Sequence, residues 1–238
     1  MLFLLTMKIE MKKRVVIILA SGSGQRFGSV LPKQYCNFAG RPLLMHTIDC
    51  FTPIIPIEDI LVVIDSAMDN EWSSLCSNYK YTSPRTTHGG SSRTESLAKA
   101  LNALSDYPAD TIVMIHDGAR PLTSENLISR MTDIPDGYVG AVPAVAVTDT
   151  LRHLDKTNAT SRTVDRSEYV AVQTPQTFTL GVLRESFANY NQHTATDDAT
   201  LVQQITGGEI ALIEGEYSNI KVTNPTDLAI AEALLKAK

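Results

Sequence analysis

Unbroken apolar runs alternate along the chain with stretches of helical periodicity. Val15-Val16-Ile17-Ile18-Leu19 and Ile60-Leu61-Val62-Val63-Ile64 have no polar alternation, so each reads as a strand buried on both faces of a parallel sheet. Thr111-Ile112-Val113-Met114-Ile115 is a further run of this kind and ends in His116-Asp117. Between the runs, Arg41-Pro42 is expected to open a helix with proline in its first turn, and Leu43, Leu44, Thr47 and Ile48 form the inward face. A polar helix is predicted over 71–78. Ser92-Arg93-Thr94-Glu95 has capping-box spacing, Ser92 taking an amide and Glu95 reaching back, and starts a helix expected to run to Leu104. This β-α-β-α alternation predicts a doubly wound, mostly parallel, Rossmann-like α/β sheet.

The pattern changes after Gly137. Helical periodicity disappears over 138–172, where short β-prone pieces alternate with polar breaks, so part of this span reads as an arm leaving the sheet. Helices follow over 180–190 and from Thr196-Asp197-Asp198 to Ile205; the two aspartates complement the helix N-terminus and are assigned no metal. A strand over 209–214 leads to the β-prone Asn219-Ile220-Lys221-Val222-Thr223, and Asn224-Pro225 introduces a closing helix.

A chain of 238 residues is long enough for one large core, so residues 14–238 are read as a single domain behind a 1–13 extension. The apolar MLFLLTM start is too short to span a membrane and reads as a disordered or mis-started segment, with Met11 as a candidate start. A net charge of −5 argues against nonspecific nucleic-acid binding. Cys36, Cys50 and Cys76 are dispersed, which suits packing in a reducing cytoplasm and neither a zinc site nor a disulfide framework.

The chemistry gathers behind the first strand. Gly22 and Gly24 let the chain turn and present bare N–H groups to an anionic phosphate chain, and the cations Arg26 and Lys33 flank that surface. Phe27 stands where a dinucleotide fingerprint needs its third glycine, and Lys33 lies in Pro32-Lys33-Gln34 rather than in a Gly-Lys-Ser/Thr entry to a helix. A hydride-transfer site and a P-loop are thus disfavoured. Asp117, at the C-terminal end of a buried strand, sits where open α/β sheets place ligands. On residues alone, a glycine-rich βα turn with two solvated cations remains an open alternative.

The string A-S-G-S-G-Q-R-F followed by P-K-Q resembles the 2-C-methyl-D-erythritol 4-phosphate cytidylyltransferase family. Four further segments resemble it in the same order: Gly89-Gly90 with Ser96; His116-Asp117-Gly118-Ala119-Arg120-Pro121; the arm strings V-T-D-T, T-V-D-R and V-Q-T-P-Q; and N-I-K-V-T. The resemblance implies that Ala20, Ser21, Gly22, Gly24, Gly90, Ser96 and Gly118 hold CTP, the glycine pair and Ser96 holding the cytosine. It implies that Arg26 and Lys33 act on the transition state, that Lys221 helps bind the incoming phosphate, and that Arg120, Thr150, Arg166 and Thr174 contact a polyol phosphate. Asp117 would be the magnesium ligand or the ribose-side carboxylate. Many relatives have an acid where this chain has Ser218. The arm would clasp a second subunit, making a homodimer with shared sites. The implied reaction is transfer of CMP from CTP to methylerythritol phosphate. A ribitol 5-phosphate cytidylyltransferase and a non-catalytic nucleotide-binding subunit are the alternatives, the latter opposed by the number of cations.

Overall fold

The computed structural model describes residues 12–22, 31–155, 157, 160–189 and 197–237. Arg26 and Gly24, and residues 1–11 of the extension, lie outside the described residues. In chain order the elements are β1 (Arg14–Leu19), β2 (Asn37–Phe38), β3 (Arg41–Pro42), α1 (Leu43–Asp49), β4 (Ile60–Ile64), α2 (Asp69–Asn78), β5 (Arg85–His88), α3 (Arg93–Asn102), β6 (Ile112–Asp117) and α4 (Glu125–Arg130). Then come β7 (Gly140–Ala146), β8 (Arg152–Asp155), β9 (Thr160–Thr163), β10 (Val170–Val172), β11 (Gln176–Thr179), α5 (Leu180–Ala188), α6 (Asp198–Thr206), β12 (Ile210–Glu214) and α7 (Pro225–Lys236).

An eight-stranded sheet runs in the order β10-β7-β11-β6-β1-β4-β5, with β12 beside β7. β1 pairs in parallel with both β4 and β6, whereas β11 is antiparallel to β6 and to β7. Strand alternation explains why the central runs lack polar positions. Val16, Ile18, Ile60, Val62 and Met114 pack on one face with Leu44, Met45, Trp72 and Ile128, while Val15, Ile17, Leu61, Val63 and Val113 pack on the other with Leu97, Leu101, Leu183 and Val202. Helices α1, α2 and α4 thus cover one face and α3, α5 and α6 the other. The doubly wound α/β expectation holds. Among the described residues no helix is long and apolar enough to cross a membrane.

Several local expectations are corrected. Pro42 sits at the N-cap of α1, ending the short strand β3, so it precedes the first turn. The capping box at Ser92 is one-sided: Ser92 takes the Glu95 amide, but the Glu95 carboxylate accepts from the amide and hydroxyl of Ser91. A reciprocal box forms instead at Asn224 and Asp227. Residues 219–223 form no strand but a strap, fastened where the Val222 amide donates to the Ala119 carbonyl at 2.8 Å. β5, Arg-Thr-Thr-His, has no apolar signature because it is an exposed edge strand. The arm consists of β10, paired with β7, and the separate hairpin β8-β9.

Candidate active site

The C-terminal ends of β1 and β6 open onto a cavity of about 490 Å³. Ala20, Ser21, Gly22, Lys33, Gly90, Ser96, Asp117, Gly118 and Lys221, all expected from the sequence, line it together with Arg93, Gln34 and Asp65. Its location is the one that open α/β sheets reserve for ligands.

Pro32-Lys33-Gln34 works as a clamp. The buried Gln34 amide donates to the Ala20 carbonyl at 2.6 Å and the Gly22 carbonyl at 2.8 Å, fixing where the glycine-rich segment begins. Lys33 Nζ donates to the Val222 carbonyl at 2.8 Å, so the strap holds that cation at the cavity wall. Gly118 lies across from the loop, and a Cβ there would fall 2.8 Å from the Cβ of Ala20, closer than real Cβ atoms approach. Its bare backbone lets the end of β6 lie against the start of the loop.

Ser96 is a buried hub. Its Oγ accepts from the Gly90 amide at 2.9 Å and donates to the Ser92 carbonyl at 2.8 Å. A hydroxyl has one proton, so the Ser21 hydroxyl, 3.0 Å away, is the donor to Ser96. Ser96 therefore spends its hydrogen-bonding capacity on the protein, joining the glycine pair to the loop after β1. A Cβ at Gly89 would overlap the Ser21 side chain.

Asp117 is the electrostatic centre. Its Oδ1 lies 3.3 Å from Arg93 Nη1; its Oδ2 lies 3.2 Å from Arg120 Nε and 3.1 Å from Lys221 Nζ. Burial pushes the Asp117 carboxyl up, but Arg93, Lys221 and Arg120 together outweigh burial and hold it well below the usual carboxylate range. Arg120 is buried behind it and also donates to the Asn219 carbonyl at 2.7 Å, which makes the pair with Asp117 its place in this chain. Thr174 lies beneath, its Oγ1 accepting from the Asp117 amide at 3.0 Å and meeting His116 Nδ1 at 3.1 Å. Burial lowers the His116 imidazole to about 3, so this fully buried ring is a neutral packing and hydrogen-bonding group.

Thr150 and Arg166 lie elsewhere in the chain. Both are exposed on the arm, Arg166 donating to the Thr148 carbonyl, and neither lines the cavity. Both oxygens of Asp117 face cations, so a magnesium ion bound there would have to displace at least one of them. Asp117 as arranged here holds three cations. Sequence reasoning missed Arg93, Gln34 and Asn219. Gln34 was within reach because it completes the P-K-Q string; Arg93 and Asn219 gain their meaning only from residues far away in the chain.

Residues 14–237 match the family model described as IspD: 2-C-methyl-D-erythritol 4-phosphate cytidylyltransferase. The enzyme of that name from Azobacteroides pseudotrichonymphae is 38% identical over 229 residues, covering 94% of this chain and 100% of its own length. Among solved structures, 4-diphosphocytidyl-2C-methyl-D-erythritol synthase from Anaerococcus prevotii superposes with a TM-score of 0.80 at 27% identity, covering 96% of this chain and 98% of that one. The 2-C-methyl-D-erythritol 4-phosphate cytidylyltransferase of Thermus thermophilus gives 0.75 at 32% identity, covering 94% and 99%.

Proposed function

The chain belongs to the 2-C-methyl-D-erythritol 4-phosphate cytidylyltransferase family, and from that premise we propose how its residues divide the work. The protein transfers CMP from CTP to 2-C-methyl-D-erythritol 4-phosphate, releasing pyrophosphate and forming 4-diphosphocytidyl-2-C-methyl-D-erythritol. The observation that carries the division of labour is that Lys33 and the Asp117–Lys221 pair share one cavity with the backbone of Ala20, Ser21, Gly22 and Gly90.

The cytosine is assigned to the Gly90 end of the cavity, beside Ser91 and Ser92, and the triphosphate to the segment between Ala20 and Lys33. A phosphomonoester has a second pKa of about 6, so the attacking oxygen is already an anion at neutral pH and needs no general base. Asp117, held ionised, is not asked to move a proton. What remains is to bring two mutually repelling anions into line and to stabilise charge at the α-phosphorus. Lys33 takes the nucleotide phosphates, Arg26 is assigned the same role from the sequence alone, and Lys221, oriented by Asp117, takes the incoming phosphomonoester. Magnesium enters this reading as an ion brought by the triphosphate and not anchored by Asp117.

The second subunit is part of the proposal. Leu154, Tyr169, Val170 and Val172 are exposed along the arm, an apolar surface suited to a copy of itself. Thr150 and Arg166 ride on the same arm away from their own cavity, which supports delivery of both to a partner's site. Three cysteines dispersed along the sequence without a C-x-x-C pair support a reducing cytoplasmic location.

The test is direct. Incubate the protein with CTP and magnesium, offer methylerythritol phosphate or ribitol 5-phosphate in parallel, and follow pyrophosphate. Release with methylerythritol phosphate is expected; release only with the ribitol ester, or with neither, would refute the reading.

A further inference from the structure

Arg93 opens α3. A cation there meets the positive end of the helix dipole, an electrostatically unfavourable position that demands compensation. Two carboxylates provide it: Arg93 Nη2 donates to Asp198 Oδ2 at 2.6 Å, and Nη1 to Asp117 Oδ1 at 3.3 Å.

Asp198 is itself braced. It is the first residue of α6, and that helix is tied to the sheet through Gln176 of β11, whose amide donates to Asp197 Oδ2 at 2.7 Å and accepts from the Ala199 amide at 3.1 Å. Gln176 in turn pairs with Ile115 in β6, the strand that carries Asp117. The Asp198 side chain is almost wholly buried, whereas Arg93 is partly open and lines the cavity. Burying such an ion pair adds little net stability, so its use has to be sought in the geometry it fixes. Two of the five guanidinium N–H donors reach carboxylates in two directions, a fork that an ammonium cannot reproduce.

We propose that Arg93, braced by Asp198, is a positioning residue for CMP transfer: it fixes Asp117, and through Asp117 it fixes Lys221, at the phosphate end of the cavity. The inference rests on the cytidylyl-transfer reading above and adds to it a pair of residues that act through others.

Steady-state transfer by the full chain, with CTP and methylerythritol phosphate each varied, tests it. Misplacing a reacting group by an ångström costs about a hundredfold, so Arg93→Gln and Asp198→Asn should each lower kcat on that order with KM for CTP little changed. Combined, the two substitutions should cost no more than the worse of them alone, because they break one unit. Arg93→Lys keeps the charge without the fork and should stay slow, while Asp198→Glu keeps the pair and should recover part of the rate. Circular dichroism and melting temperature show which variants are folded; if the neutral substitutions prevent folding, the Arg93→Lys and Asp198→Glu contrast decides. Folded variants within about twofold of wild-type kcat, full activity in Arg93→Lys, or additive losses would overturn the proposal. A wild-type chain inert toward CTP would overturn the functional reading and this inference with it, whereas an active wild type beside undiminished variants overturns the inference alone.

Discussion

Replacing Asp117 by asparagine keeps the shape of the side chain and removes the one negative charge shared by Arg93, Arg120 and Lys221. Breaking a buried ion pair by neutralising one partner typically costs about 3 to 5 kcal/mol. The Lys221 side chain is 45% exposed, so water takes over part of its charge and the lower end of that range applies. For a chain of this length about 3 kcal/mol corresponds to a fall in melting temperature of roughly 6 °C. An anion should then do what the carboxylate no longer does. Pyrophosphate or CTP should raise the melting temperature of Asp117→Asn by more than it raises that of the wild type, since a ligand at 100 times its Kd adds about 2.7 kcal/mol and the variant binds it with uncompensated cations. Turnover should nevertheless fall, because Lys221 loses its orientation. Thermal melts with and without pyrophosphate, together with pyrophosphate-release kinetics, read all three effects. An unchanged melting temperature, or equal ligand gains in the two proteins, would show that the cations are not held by Asp117.

Lys33→Ala should lower kcat at least about a hundredfold, the equivalent of losing one preorganised donor worth roughly 3 to 4 kcal/mol, with the fold retained by circular dichroism; near-normal turnover would remove Lys33 from its role. Lys33→Ala and Arg166→Ala chains, each inactive alone, should regain partial activity when unfolded together and refolded as mixed dimers, and no recovery would argue against a shared site. Gln34→Ala leaves the buried Ala20 carbonyl without that amide donor, a loss of about 1 to 3 kcal/mol, and frees the exposed Gly22 carbonyl, and should raise KM for CTP; an unchanged KM would show that the clamp does not set the loop. The folded-state pKa of His116 is depressed to about 3, so below about pH 6.5 the unfolded chain binds a proton that the folded chain refuses. Its contribution should therefore cost about 2 kcal/mol between pH 7 and pH 5, and urea titrations at the two pH values should show a smaller difference in His116→Asn than in the wild type.

What the sequence made legible follows from what is local. The buried strands announce themselves because both faces are covered, which leaves no position free to be polar. The segment expected to face phosphate announces itself because bare backbone requires glycine. Asp117 could be located because a carboxylate ending a buried strand has few other reasons to be there. Its three cations were less legible. Arg93, Arg120 and Lys221 come from α3, from just beyond β6 and from the strap, and only folding makes them neighbours. That convergence surrounds one carboxylate with three cations that no local pattern announced together. Lys221 was expected in a strand because Ile220 and Val222 flank it, but Val222 is consumed by packing with Phe38 and Ala231 and the segment is held as a strap. The polar edge strand β5 carried no hydrophobic signal at all.

The strap has a consequence for how the protein is made. A ribosome delivers β1, β4, β6 and β11 before residues 219–223, so much of the sheet can assemble before that segment emerges. Lys33 then lacks the Val222 carbonyl and Asp117 lacks the Lys221 ammonium. The candidate site is completed only once residues 219–223 have emerged and docked against the strand end that carries Asp117. A nascent chain stalled before that point would carry the architecture of the enzyme without its working charge pattern.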